Sequence, residues 1–233
     1  MPRSQEFGFV IENLVRTRIH NLPPKSNDTG VHDISKQENH YDKTQTESIK
    51  TTGSNAIDCG DALRFFSYDM TENHAMVVFR FKQLPSCRKI VETLVLKIDS
   101  VFMKAMFGTV TRDEIKALDT YVKAIPPNAR TAEHQKYYKQ AAKSLKEKSG
   151  GWISYAPKVD SKTQRRLQCS IRNLDQFLEK YPQCILARSS TPTHHGITLE
   201  TEYPFSARVR NSKKEEKVEE KETEMQESDS EHD

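Results

Sequence analysis

Residues 28–61 read DTGVHDISKQENHYDKTQTESIKTTGSNAIDCGD and place several carboxylates around one lysine. Side chains alternate faces along a strand, so Ser48 and Lys50 share one face of the TESIKTT segment while Ile49 turns the other way, toward a core. If the VHDI segment pairs with it as a neighbouring strand, Asp33 and Lys50 project together at one edge of a sheet. Glu12, on a helical stretch before them, adds a second carboxylate, and Asp58 or Asp61 a further one. Carboxylates are hard oxygen ligands that hold Mg²⁺. A bound Mg²⁺ polarises a scissile phosphate and lowers the pKa of the attacking water, while a lysine ammonium steadies charge or orients that water. These residues therefore fit metal-assisted phosphodiester hydrolysis. Each also has a plainer reading. Glu12 lies four residues before Arg16, the spacing of a surface ion pair on a helix. Asp33 suits a strand-end cap, Lys50 a solvated edge lysine, and Asp58 a helix N-cap.

Phosphodiester chemistry needs a surface that binds phosphates. Residues 158–168 carry Lys158, Lys162, Arg165 and Arg166, interleaved with Gln164 and Gln168, and Arg172 extends the patch. Lysine and arginine neutralise phosphates and release counterions, and Arg and Gln bridge guanine and adenine edges. A turn between strands would carry these groups into a groove. The helix expected over 132–148 adds lysines on its outer face as a weaker second patch.

Gly30-Val31-His32-Asp33-Ile34, a loop and then Glu47-Ser48-Ile49-Lys50 resemble the catalytic hairpin of the PD-(D/E)xK nucleases, the fold of many Type II restriction endonucleases. The resemblance implies that Asp33 takes the aspartate place, Lys50 the lysine and Glu12 the helical glutamate. Ser48 stands where the family usually carries Asp or Glu. Some restriction enzymes similarly have Ser-x-Lys and draw the missing acid from the following helix, here Asp58 or Asp61. Glu47 is a poor substitute, because its parity with Lys50 turns it to the opposite face. By this resemblance Asp33, Lys50, Glu12 and Ser48 are catalytic, and Asp33, Glu12, Asp58 and Asp61 hold Mg²⁺. It further implies sequence-specific cleavage of double-stranded DNA and a homodimer matched to a palindromic site. The alternative, from a different class, is a non-catalytic nucleic-acid-binding protein with a basic surface.

Other chemistries find little support. Thr51-Thr52-Gly53-Ser54 lacks the glycines and lysine of a phosphate-binding loop, and no Gly-x-Ser-x-Gly elbow occurs. His194-His195 stands among Gly and Pro and reads as a surface loop. Cys59, Cys87, Cys169 and Cys184 form no CxxC knuckle and read as reduced thiols. Trp152, after Gly150-Gly151, reads as a core anchor.

The elements that must position these residues follow from periodicity. Ile11, Leu14, Val15 and Ile19 predict a helix over 8–20, stopped before Pro23-Pro24. A strand is expected at 46–52 and a short helix from about Asp58 to Phe66. Runs at 75–84 and 89–99, rich in Val, Ile and Phe, predict a hairpin. Thr111-Arg112-Asp113-Glu114 is a capping box opening a helix, and a second helix covers 132–148 with Tyr138, Ala141, Ala142 and Leu145 inward. WISYAPKVD, RRLQCSIR, CILARSS and GITLETEY read as strands, and NLDQFLEKY as a helix. The expected fold is α/β or α+β, a single mixed sheet flanked by helices and restriction-endonuclease-like.

With 233 residues the chain fits one globular domain over 1–210 plus an acidic tail over 211–233. The net charge of +3 conceals a split, −6 in the tail against +9 in the remainder. The tail has too little apolar surface to offset its ordering entropy and is expected to be disordered. Tails of this Lys-Glu-rich kind are more usual in eukaryotic and eukaryotic-virus proteins, which points to a large DNA virus as a source. No long apolar run marks a membrane span or a signal peptide, so a cytoplasmic or nuclear protein, not a secreted one, is expected.

Overall fold

The computed structural model describes residues 3–24, 32–68, 72–126, 128–159 and 165–204. Helix α1 (Arg3–Leu14) runs into a π-helical turn (Val15–Ile19), then come strands β1 (Gln45–Thr52) and β2 (Ala56–Asp61) and helix α2 (Ala62–Phe66). The hairpin β3 (Asn73–Gln83) and β4 (Cys87–Ile98) precedes helices α3 (Ser100–Phe107), α4 (Arg112–Ala124) and α5 (Ala132–Lys148). Strands β5 (Ile153–Lys158) and β6 (Arg166–Arg172) lead to α6 (Leu174–Lys180) and β7 (Ile185–Ser189). The short pieces β8 (Thr193–His194), β9 (Ile197–Thr198) and β10 (Glu202–Pro204) end the described chain.

The α+β class holds. The expected single sheet divides among the described residues into three: β1, β3, β4, β7 and β10 form a mixed sheet, β2, β6 and β5 an antiparallel one, and β8 and β9 a two-stranded one. β1 lies parallel to β3, with Ile49 opposite Val77. A parallel neighbour needs a crossover, and β2 with α2 supplies it. The second sheet arises because Ile57 and Cys59 are buried while Asp58 is exposed, the period-two pattern of a strand. That pattern also overturns the helix expected to start at Asp58: the chain is extended to Asp61, which caps α2 by accepting from the Arg64 amide at 2.9 Å. Helix α3 follows β4 directly, capped by Asp99, where its apolar sequence resembles strand continuation.

Both faces of the mixed sheet are covered. Phe7 and Ile11 of α1 and Val15 and Ile19 of the π-helical turn pack on the face of Ile49, Ala75, Val77 and Phe79, joined by Leu199 and Tyr203 from the C-terminal segment. The other face, with Met76, Val78, Leu94 and Leu96, meets α2 to α6 and the second sheet. Trp152 packs at the margin of that second core. α4 opens with the expected capping box between Thr111 and Glu114, and Tyr138, Ala142 and Leu145 are buried in α5. No helix of the described residues is long and apolar enough to cross a membrane. The acidic tail lies outside the described residues.

Candidate functional site

Ile34 forms an antiparallel bridge with Glu47, through the Glu47 amide to the Ile34 carbonyl at 2.9 Å and the Ile34 amide back to Glu47 at 3.0 Å. Opposed residues in an antiparallel pair share a face, so Asp33 stands opposite Ser48, on the side that also carries Lys50. The Asp33 carboxylate accepts the Ile49 amide at 2.6 Å, taking the place of a strand partner that the bridge is too short to provide. Buried Arg16 fixes this segment by donating to the Asp33 carbonyl at 2.6 Å, to Glu38 at 2.9 Å and to the Pro23 carbonyl at 3.1 Å. Burial raises the Glu38 pKa, but the Arg16 guanidinium and the Ser35 bonds outweigh it and hold that carboxyl at about 2. Lys50 is half-buried and makes no ion pair among the described residues.

The same face carries a ring cluster. His32 stacks on His74 with centroids 4.9 Å apart, and Tyr68 stands edge-on to His32 at 5.1 Å. Ser48 Oγ lies 3.4 Å from the Tyr68 hydroxyl, and the Thr46 hydroxyl 2.7 Å from His74 Nδ1. Burial and the neighbouring His74 push His32 down to about 4. Burial raises the Tyr68 phenol, with Ser48, Lys50 and Arg64 acting against it.

Beside this cluster an open groove of about 400 Å³ is lined by Asp61, Arg64, Ser67, Arg112 and Arg166, with Leu63. Arg112 Nε reaches Ser67 Oγ at 3.3 Å, and Arg166 Nε is buried without a hydrogen-bond partner among the described residues. Three guanidiniums and the Asp61 carboxylate thus line one concavity. Arg64 also acts electrostatically on both His32 and Tyr68, which ties the groove to the face of Lys50.

The remaining residues singled out in the sequence are scattered. Glu12 is half-buried on α1. Asp58 is engaged through both oxygens, by the Gly60 amide at 2.8 Å and by Gln168, and so serves the β2–β6 pairing. Among the basic residues, Lys158 is exposed, Arg165 donates to the Ile125 carbonyl, and Arg172 Nε bonds Ser154 at 2.8 Å. Lys162 and Gln164 lie outside the described residues. Arg64 and Arg112, which complete the groove, come from segments whose sequence shows only isolated arginines on short or amphipathic helices.

On the opposite face of β1, where its parity places it, Glu47 is fully buried and meets three histidines. Its Oε2 lies 3.2 Å from His20 Nε2 and 3.0 Å from His194 Nε2, and its Oε1 2.8 Å from His195 Nε2. Asn39 Nδ2 donates to Oε1 at 3.3 Å. His20 follows the π turn, and the other two histidines belong to the β8–β9 hairpin. The surface loop expected for His194-His195 is thus overturned: His194 is buried and His195 half-buried. The hairpin turns on His195 and Gly196, both at positive φ, and folds back to place Leu199 in the α1 core. Burial raises the Glu47 pKa, but bonds from His194, His195 and His20 outweigh it and hold the carboxyl well below its usual range. Burial lowers His194 despite Glu47 beside it. The sequence signal was present in part, since a carboxylate at a core-facing strand position must find buried partners.

These four residues bring their ligand atoms within 4.8 Å of one another, a grouping that can hold a metal ion. No family model, no curated protein and no solved structure matches this chain.

Proposed function

We propose that this protein is a Mg²⁺-dependent endonuclease of the restriction type, acting on double-stranded DNA. The observation that carries the reading is the register of Ile34 against Glu47, which sets Asp33 on the face of Lys50, next to a groove of three arginines. The donors present suit Mg²⁺: among the described residues Asp33 uses one carboxylate oxygen on the Ile49 amide, and Asp61 opens onto the groove. Asp33 and Asp61 would hold the ion, whereas Glu12, expected from the sequence as a further ligand, sits on the helix that covers the opposite face of β1. When bound, Mg²⁺ supplies Lewis-acid polarisation of the phosphate and of its water.

The chain's own residues do the rest. Arg64, Arg112 and Arg166 seat backbone phosphates, each neutralised charge releasing counterions. Lys50 presents its ammonium to the phosphate at the strand edge, where charge builds as water adds to phosphorus and one ester oxygen departs. The Asp33 backbone cannot drift, because Arg16 and the Glu47 bridge both hold it. Ser48 is tied to Tyr68 and helps pack the floor of the site, while Lys158, Arg166, Gln168 and Arg172 present the second sheet to DNA.

The test is incubation of the full chain with mixed-sequence DNA in Mg²⁺, beside an EDTA control. Discrete fragments should appear, vanish in EDTA, and fall by about a hundredfold or more in Asp33→Ala and Lys50→Ala. Tight, salt-sensitive binding with no cutting would replace this reading by a non-catalytic nucleic-acid-binding protein.

A further inference from the structure

We propose that His20, Glu47, His194 and His195 form a binding site for a divalent transition metal of the zinc type, separate from the Asp33–Lys50 face. Three observations converge on it. The ligand set is three imidazoles and one carboxylate, which suits zinc and its neighbours rather than Mg²⁺ or Ca²⁺, whose sites are built from oxygens. The spacing fits: zinc bonds of about 2.0–2.1 Å in tetrahedral geometry put ligand atoms roughly 3.3 Å apart. Here His20 and His194 Nε2 lie 3.2 and 3.0 Å from Glu47 Oε2, His195 Nε2 lies 2.8 Å from Oε1, and the ligand atoms of the four residues all lie within 4.8 Å of one another. The third observation is architectural. β8 and β9 are two residues each, too short to hold a hairpin on their own, yet His194 and His195 seat that hairpin against Glu47 of β1 and His20 after the π-helical turn. A metal at their meeting point would staple three separate segments.

Without metal, each Nε2 must carry a hydrogen to bond the carboxylate. With metal, each neutral imidazole moves that hydrogen to Nδ1, so no proton is lost. For His20 this gives up only a bond from the His40 amide at 3.4 Å, which is long for a hydrogen bond. A carboxylate and three neutral imidazoles leave a zinc site with one net positive charge. His195 is the outermost ligand, its side chain 21% exposed, and marks the route by which an ion enters.

The experiment uses the full chain, stripped with EDTA, dialysed free of chelator and titrated with Co²⁺ as a spectroscopic probe, then with Zn²⁺. One equivalent of Co²⁺ should produce the visible bands of a low-coordinate site without thiolate charge transfer, and Zn²⁺ should displace it. His195→Ala, which alters a partly exposed ligand, should weaken binding by about tenfold or more, while His134→Ala in the first turn of α5, far from the cluster in sequence and absent from it, should leave it unchanged. Glu47→Gln should also weaken it, and circular dichroism of that variant separates loss of the ligand from loss of the fold. Absence of stoichiometric binding by the unaltered chain would overturn the proposal. Thiolate charge-transfer bands, or affinity unchanged in His195→Ala, would do the same. Every readout is independent of DNA cleavage, so this site and the nuclease reading stand or fall separately.

Discussion

His32 and His74, stacked face to face beside Asp33, cannot both take a proton without repulsion, and burial adds to the penalty. Asp33 and Glu72 favour the charged form and Arg64 opposes it, leaving His32 at about 4. An unfolded histidine titrates near 6.5, so between that value and about 4 the unfolded chain binds a proton that the folded chain refuses. Stability is therefore complete above about pH 6.5 and falls as the pH drops toward 4. His194, lowered by burial, acts in the same direction. After discounting for partial solvent access, the contribution of His32 is on the order of 1 kcal/mol. Urea midpoints measured across this range should decline for the unaltered chain and decline less for His32→Gln. Equal slopes would show that His32 does not titrate as its surroundings dictate. Glu47 acts in the same direction at lower pH: its stabilisation is present above its unfolded pKa of about 4.5 and is lost only in strong acid.

At the scale of elements, the arginine groove depends on how α4 meets the second sheet. Asp119 of α4 is buried and accepts the Leu167 amide at 2.8 Å, while Lys123 pairs with its second oxygen at 2.5 Å. This bond fixes β6 beside the helix whose first residue, Arg112, faces Arg166 across the groove. Asp119→Ala leaves a buried amide unpaired and should cost about 2 kcal/mol in chemical denaturation. It should also weaken DNA binding several-fold through Arg166, an effect that a purely local loss would not produce. Much of this scaffold was legible in the sequence. The capping box at Thr111, the 75–99 hairpin, the β1 alternation and the inward face of α5 all follow from local pattern. What could not be read is non-local: which strands share a sheet, and that a two-residue hairpin more than 140 residues along the chain returns to Glu47. His194-His195 looks like loop chemistry because Pro and Gly flank it. Its burial depends on Glu47 of β1 and on His20 after the π-helical turn, which no local window contains.

Over the whole molecule the decisive feature is charge asymmetry, +9 in residues 1–210 against −6 in residues 211–233. An acidic segment tethered to a basic body is held at high effective concentration and competes with phosphates for the same arginines and lysines. Its competition is electrostatic, so it weakens as salt screens it, over a Debye length of about 10 Å at 0.1 M. Removing residues 211–233 should therefore tighten nonspecific DNA binding by about tenfold at low ionic strength and steepen the dependence of log Kd on log salt. The two proteins should converge as salt rises, because both the tail and the DNA lose their hold on the body together. Fluorescence anisotropy with one labelled duplex at several salt concentrations measures both quantities. Equal affinity and equal slope would mean that the tail never visits the basic surface. A gap that persists at high salt would point instead to a contact that does not rest on charge. If the gap closes as expected, the tail sets how strongly the arginine groove competes for random DNA, and so favours sites where base contacts add to the phosphate contacts.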